Sequence, residues 1–583
     1  MSQDPPIDRS VPLRGDRIAE LVEIARRNPD ALGSRLDRLT IPEQVELALR
    51  VPPARRLDLL LHGRKARTLI RALPDAELYL TVREVGPVDA MPLLALASTA
   101  QLVHVLDLES WRGDRFDADR AGAWLALVLE ADDMAAKRLL RMLDDEVLAL
   151  LAQRWMRIVP IHAGEVDPLD TAESTTDDER GHLTPDGHHR FAPAIHEHAP
   201  AIRRLLQILF GEDPNRFRRI LRESQWALPT ETEEQGLHWR QSRLEEHGYP
   251  TLEDSLSVYA PPSGARATFD VPAIPEGAVA PVALLRAAPA RVVLVPAIDA
   301  LGPDARARVL FEFVAVANRV LVADAGDPGD PAAHRAAMET AAGYVTIALE
   351  THDATSPGGP TSLLAQVPAI ELFRQGYARA AELGVRARAL VHSGWARVHP
   401  SALDLLDTPI RERVEALLGA RPKTARHAPF ASLAEIEEAR AALEMAEVVG
   451  RCLIDGVGFD ANRLRSTGTD LPLAGYRLST ALLTLLAWHA TRQTVSTEPV
   501  PIEVAADFLR TIASRRTAGR EAGPRALDRL VQRLAQDHHL GAREIAVMQA
   551  FGRFCLERLA DECGDLDPGV PLDRRASVCL LVE

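Results

Sequence analysis

Residues 40–63 read TIPEQVELALRVPPARRLDLLLHG, and this stretch decides the fold. Thr40 can cap a helix. Pro42 fits the first turn, where its missing N–H costs nothing, and Glu43 can reach back to close a capping box. Val45, Leu47, Ala48 and Val51 then place an apolar stripe at helical spacing. Pro52-Pro53 stops that helix and opens a second one carrying Leu57, Leu59, Leu60 and Leu61, which Gly63 ends.

The same grammar repeats downstream. A helix with Ala66, Leu69 and Ile70 ends near Pro74. Pro74-Asp75 starts the next, with Leu78, Leu80 and Val82, and Gly86-Pro87 closes it. Further helices are predicted over 87–97, from a Ser98 cap through Leu102, Val103 and Leu106, and over 117–130 and 144–155. Starts recur about every 12 residues, which suits short helices joined by tight turns. Such helices cannot bury an apolar face alone, so they must stack on neighbours, and a superhelix with an exposed groove results. Leu73-Pro74-Asp75-Ala76-Glu77 is echoed by Leu143-Asp144-Asp145-Glu146.

Residues 41–152 resemble the helical repeats at the N-terminus of MgtE-type magnesium transporters, and similar repeats occur in the flagellar motor switch protein FliG. The likeness rests on short apolar helices entered through Leu-Pro-Asp, as at Leu73-Pro74-Asp75. The transporter half of MgtE has no counterpart here, so magnesium transport does not carry over. The whole chain also resembles a bacterial domain family of unknown function. That likeness is carried by Leu106-Asp107-Leu108-Glu109-Ser110-Trp111-Arg112-Gly113-Asp114, by His238-Trp239-Arg240-Gln241-Ser242-Arg243-Leu244 with Gly248-Tyr249-Pro250, and by Ala317-Asn318-Arg319-Val320-Leu321-Val322-Ala323-Asp324. It brings no activity with it.

The 583 residues are enough for three to five domains of roughly 100–200 residues. Aromatics are only 4%, so the core must be built mostly from Leu, Ala and Val, which favours helix packing over a β-sandwich. A net charge of −15 disfavours general nucleic-acid binding, which needs a basic face to neutralise phosphates. Lysine occurs only at Lys65, Lys137 and Lys423, and the arginine bias matches GC-rich codon usage better than selected anion recognition. Cys452, Cys555, Cys563 and Cys579 form no Cys-x-x-Cys pair and read as core thiols of a reducing compartment. The opening residues 1–12 are polar and proline-rich, and no apolar run reaches the ~20 residues of a membrane span. The expected location is the cytoplasm, without membrane insertion.

The chain is expected to divide into an N-terminal tail with leading helices (1–39), the superhelix (40–160), an acidic, His-rich flexible loop (161–200), a helical segment (201–260), a central region (261–350) and a C-terminal helical domain (351–583). The central region has some strand character in Arg291-Val292-Val293-Leu294-Val295-Pro296 and Arg319-Val320-Leu321-Val322-Ala323-Asp324, although helix is the favoured reading. In the C-terminal domain the strongest helical stretches are 363–384, 433–452, 478–490 and 525–559. The fold class is mainly α, with possible minor α/β character in the middle.

No Gly-x-x-x-x-Gly-Lys-Ser/Thr loop, Gly-x-Ser-x-Gly elbow or His-Glu-x-x-His is present. Gly456-Val457-Gly458 lacks the third glycine of a dinucleotide fingerprint, and a calcium-loop reading from Asp561 fails because Leu566 stands where glycine is needed. No catalytic residue, metal ligand set or cofactor is assigned. Trp111, Arg112 and Asp114, with Trp239, Arg240 and Arg243, place a Trp beside charges near a helix end, as interface anchors do. The competing reading makes each Trp a core plug with Arg capping carbonyls. The function expected is a scaffold that binds a protein partner and has no catalytic activity. The alternative is a metal sensor or metal-dependent enzyme using His182, His188, His189, His196 and His198, or the Asp324–Asp330 turn.

Overall fold

The computed structural model describes residues 36–51, 56–161, 182–194, 199–263, 291–352, 358–398, 402–461, 464, 476–513, 517–563 and 579–582. The tail before residue 36, Pro52-Pro53, His196, His198 and most of the acidic stretch lie outside the described residues. Among those described are 24 α-helices and two small sheets, a mainly α fold. They fall into two compact units, 1–345 with 352–374 and 346–351 with 375–583.

The first unit opens with α1 (Ile41–Arg50), α2 (Arg56–His62), α3 (Ala66–Ala72), α4 (Asp75–Val85), α5 (Met91–Leu96) and α6 (Thr99–Glu109). A hairpin, β1 (Trp111–Arg112) and β2 (Arg115–Phe116), leads to α7 (Ala118–Ala131), α8 (Asp133–Met142) and α9 (Asp145–Trp155). After a small sheet come α10 (Ala199–Glu212), α11 (Pro214–Trp226), α12 (Pro229–Glu246) and α13 (Leu252–Leu256). From α1 to α9 each helix packs on the one two places along. The odd row runs α1–α3–α5–α7–α9–α11 and the even row α2–α4–α6–α8–α10. Two parallel rows of short helices are the architecture of a helical solenoid, in which each layer buries its apolar face on the next.

The sequence dictates the junctions. At Thr40, the Glu43 carboxylate accepts hydrogen bonds from the backbone N–H and the hydroxyl, both at 2.7 Å. Ser98 and Gln101 form a reciprocal capping box, and Asp117 and Asp132 cap α7 and α8. Gly86 ends α4 with φ +103°, a conformation open to glycine and costly for other residues. The Leu73 and Leu143 echo is structural as well. Both residues are extended (φ/ψ −67°/142° and −68°/144°), and each is followed by an N-cap of matching ψ, Pro74 at 141° and Asp144 at 143°.

One device recurs at three helix ends. Where a helix stops, its last carbonyls keep acceptor capacity, and a long polar side chain from another helix spans two of them, three residues apart. Gln44 Nε2 donates to Leu36 O (2.9 Å) and Leu39 O (3.0 Å). Gln101 Nε2 donates to Ile70 O (2.8 Å) and Leu73 O (2.9 Å). Arg216 donates to Leu140 O (2.6 Å) and Leu143 O (2.5 Å) while its Nε binds Asp145 at 2.6 Å.

The favoured helical reading of the central region holds: both β-branched runs are helical, in α14 (Arg291–Asp299) and α15 (Pro303–Ala323). The strands that do form lie elsewhere. They flank the acidic stretch read as a flexible loop: β3 (Met156–Pro160), β4 (His182–Leu183) and β5 (His189–Pro193) form an antiparallel sheet of order β3-β5-β4. Phe191 is buried opposite Ile158, and Thr184 and Asp186 shape the turn between β4 and β5 through a 2.6 Å hydrogen bond. The first unit is completed by the start of α16 (Pro331–His352), by α17 (Gly359–Gln366) and by the start of α18 (Ala369–Ser393).

The second unit holds the rest of α18, then α19 (Ile410–Leu417), α20 (Leu433–Gly450), α21 (Leu478–Arg492), α22 (Ile502–Phe508), α23 (Thr517–His538) and α24 (Ala542–Cys563). The predicted 525–559 helix is split at His539, whose φ is +52°, just before Gly541. Trp395 is buried and donates Nε1–H to Ala446 O at 2.9 Å. The buried Asp407 accepts hydrogen bonds from the Ser479 N–H (3.1 Å), the Ser479 hydroxyl (2.5 Å) and Arg558 Nη1 (2.7 Å).

Candidate interaction site

The β1–β2 hairpin pairs Trp111 with Phe116 and Arg112 with Arg115 around Gly113, at φ +62°. It turns Trp111 inward. The indole is 1% exposed, stands edge-on to Phe116 at 5.3 Å and lies against Gly236 of α12. Buried positions of α12 fall at Thr232, Gly236, Arg240 and Leu244, a four-residue spacing that makes one face. Arg240 therefore points at the hairpin. Its guanidinium sits 5.8 Å from the Trp111 ring centre, and its Nε donates to Asp107 O at 2.7 Å. One turn on, Arg243 grips both oxygens of Asp107 (2.7 and 2.8 Å) and reaches Asp144 at 2.8 Å. Burial raises the Asp107 pKa, and the Arg243 hydrogen bonds and charge oppose that rise.

Four of the six singled-out residues are thus brought together: Trp111, Arg240, Arg243 and the hairpin's Arg112, which pairs with Asp117 at 2.6 Å. They do so largely as the core-plug reading describes. Trp111 is sealed beneath α12 and Arg240 lies on that helix's buried face, so neither can touch a partner there. Arg112 and Asp114 on the hairpin remain exposed. Trp239, one position from Arg240, turns away by a helical step to 43% exposure, with His238 alongside at 5.5 Å.

Two apolar neighbours were not singled out from sequence. Trp226 ends α11 at 79% exposure, and Leu228, the N-cap of α12, is 59% exposed. Leu228 and Trp239 are eleven positions apart. At 100° per residue this is three turns plus about 20°, so both lie on one side of α12, roughly 16 Å apart. Exposed Glu231 and Gln235 fall between them. The signal was available: Trp226, Leu228 and Trp239 bracket a segment that carries Glu231, Glu233 and Glu234.

A second group lies deep in the same unit. Tyr79 donates its hydroxyl to Glu109 at 2.7 Å or to the Gly329 carbonyl, and Glu109 also meets Arg83 and Arg120. Gly329 is pressed so closely on α6 that a β-carbon would lie 2.4 Å from Leu108 O. His104 is buried, its ring 4.3 Å from that of His247, and neither nitrogen has a protein hydrogen-bond partner. Burial, with the His247 and His334 rings nearby, pushes its pKa down to about 3. His247 Nδ1 is 3.6 Å from Asp75, and His334 is held by Pro328 O at 2.8 Å. The sequence signal was His104, Asp107 and Glu109 interrupting the apolar run of α6.

The Asp324–Asp330 turn is spent on structure. Asp324 accepts from the Tyr259 hydroxyl at 3.0 Å, Asp327 from the Gly329 N–H at 2.8 Å, and Asp330 from the Ala332 N–H at 2.9 Å. In the small sheet, His182 packs on Phe191 and His189 lies 3.8 Å from Asp186. Among the described residues, no three His, Cys, Asp or Glu side chains gather so as to hold a metal ion, and no helix is long and apolar enough to cross a membrane.

A family model matches residues 33–583. The chain belongs to DUF6178, a family of unknown function. No curated protein and no solved structure matches it. The match spans both units, so DUF6178 describes the solenoid and the C-terminal helices together.

Proposed function

We propose that this DUF6178 member is a cytoplasmic helical scaffold without catalytic activity, and that it docks a protein partner on the α11–α12 surface marked by Trp226, Leu228 and Trp239. The observation that carries the reading is the exposure of two tryptophans on consecutive helices at one end of the solenoid. Tryptophan is enriched among the residues that dominate binding energy, because a large rigid ring is buried at little entropic cost. The ground beneath is firm: Arg240 and Arg243 fasten α12 to α6 through Asp107. A preformed surface loses less freedom on association.

The likeness of residues 41–152 to MgtE-type and FliG repeats supports the same reading, as does the two-row packing of the helices. Four free cysteines fit a reducing compartment. The test is affinity capture from the native host with the wild-type chain and the W226A/W239A variant. Both substituted side chains are exposed, so the variant should keep its helical signal and melting temperature. The expected result is a stoichiometric protein in the wild-type eluate that falls at least about tenfold with the variant, since each hot-spot aromatic contributes on the order of 2 kcal/mol. Equal recovery by both chains would remove the proposed surface.

A further inference from the structure

We infer that the occupant of the α11–α12 surface is a second copy of this chain, a step that rests on the docking reading above. The two copies are joined by a twofold axis that bisects the corner between the helices. α11 ends at Trp226, α12 begins at Pro229, and both pack on α9. From α9, Gln153 Nε2 donates to Ala227 O at 3.2 Å, which fixes the corner. Trp226 and Leu228 stand at that corner, and both are exposed.

Charge is sorted by helix here. The exposed charges of α11 are all guanidinium, at Arg218, Arg219 and Arg222, and those of α12 are all carboxylate, at Glu231, Glu234, Glu245 and Glu246. Asp145 holds Arg219 at 2.8 Å. Arg218, Arg222 and the four carboxylates have no ion pair among the described residues. Other helices balance their own charge: Arg411 with Glu415, Arg525 with Glu521, Arg533 with Asp537 and Arg558 with Glu562 each close a pair within one helix. The carboxylates of α12 repel an anionic lipid surface or a nucleic acid. A second α11 brings the guanidinium groups that they lack.

Distance from the corner matches the two sets. Arg222 and Arg218 stand four and eight residues before Trp226, while Glu231 and Glu234 stand three and six after Leu228. At 1.5 Å per residue these are roughly 6 and 12 Å along one helix and roughly 4.5 and 9 Å along the other, which agree within one turn. A twofold axis through the corner exchanges the helices and keeps distance from it. Arg222 of one copy therefore falls beside Glu231 of the other, Arg218 beside Glu234, and symmetry repeats both pairs. Trp226 and Leu228 of both copies meet near the axis. Trp239, roughly 16 Å out along α12, falls against the opening turn of the other copy's α11. An apolar centre with a charged rim is the anatomy of a specific interface.

The test is sedimentation velocity of the full-length chain. The expected result is a species of twice 63.7 kDa whose fraction rises with concentration. R218E/R222E and E231R/E234R each set like charge against like, and each should raise the dimer dissociation constant at least about tenfold. Mixed in equal amounts, the two variants restore both pairs, and the dimer should return. W226A/W239A should weaken the dimer as well. All the substituted side chains are exposed, so each variant should keep its helical signal by circular dichroism. A wild-type chain that stays monomeric up to about 100 µM, past the micromolar end of standard interfaces, overturns the proposal. So does a dimer that the charge variants leave intact, or one whose loss their mixture does not repair. A monomer that still captures a different protein through Trp226 and Trp239 keeps the docking surface and removes only the second copy.

Discussion

At Gly122 in α7 a β-carbon would fall 1.3 Å from Cζ2 of Trp155, whose ring lies flat along the helix and donates Nε1–H to Ala118 O at 3.1 Å. No rotamer adjustment of a neighbour relieves such an approach, because the obstacle is a buried ring. G122A should therefore cost about 1–3 kcal/mol or more, measured by urea denaturation, since the α7–α9 packing must open to admit one methyl. An unchanged midpoint would show that Trp155 does not sit there. His104 makes a prediction of a different kind. Its folded pKa is about 3, while the unfolded imidazole titrates near 6.5. Between those values the unfolded chain holds a proton that the folded chain does not. Stability is therefore lost as pH falls below about 6.5, by up to about 1.4 kcal/mol per pH unit from this group. H104L replaces the ring with an apolar side chain and should flatten the slope between pH 6.5 and 5. Parallel slopes for the two chains would contradict the burial of a neutral His104.

Helix boundaries were the most legible elements, and for local reasons. Thr40, Ser98, Asp117 and Gly86 act through bonds to backbone groups within four residues, so the sequence alone carries the information. The clamps that tie helices together were not legible. Gln101 reads as a helix-cap partner, and only the fold shows that its amide reaches two carbonyls about thirty residues upstream. Q101E keeps the shape and an oxygen for the Ser98 N–H, but it removes both donors and turns a carboxylate toward two carbonyls. It should destabilise by about 1–3 kcal/mol or more, and by more than Q101A, in chemical denaturation. If Q101E were the milder change, the clamp would not hold the junction. The same distinction explains the site. Trp111 and Trp239 each stand beside arginines in the sequence, yet one is buried and the other exposed. What separates them is the four-residue buried face of α12 and the inward turn of the hairpin, and neither follows from the residues adjacent to each Trp. The strands beside the acidic stretch were missed because two- to five-residue strands have little periodicity, and β3 and β5 are far apart in sequence.

For the molecule as a whole, the account rests on an N-terminal solenoid whose last helices present tryptophan to solvent. The most direct measurement places a photo-crosslinking amino acid at Trp239 in the chain expressed in its native host, with the exposed Thr68 of α3 as the control position. The account predicts one discrete, light-dependent adduct at position 239, a single protein by mass spectrometry, that is absent at position 68. No adduct at 239, or the same smear of products at both positions, would contradict a partner-docking surface on α12.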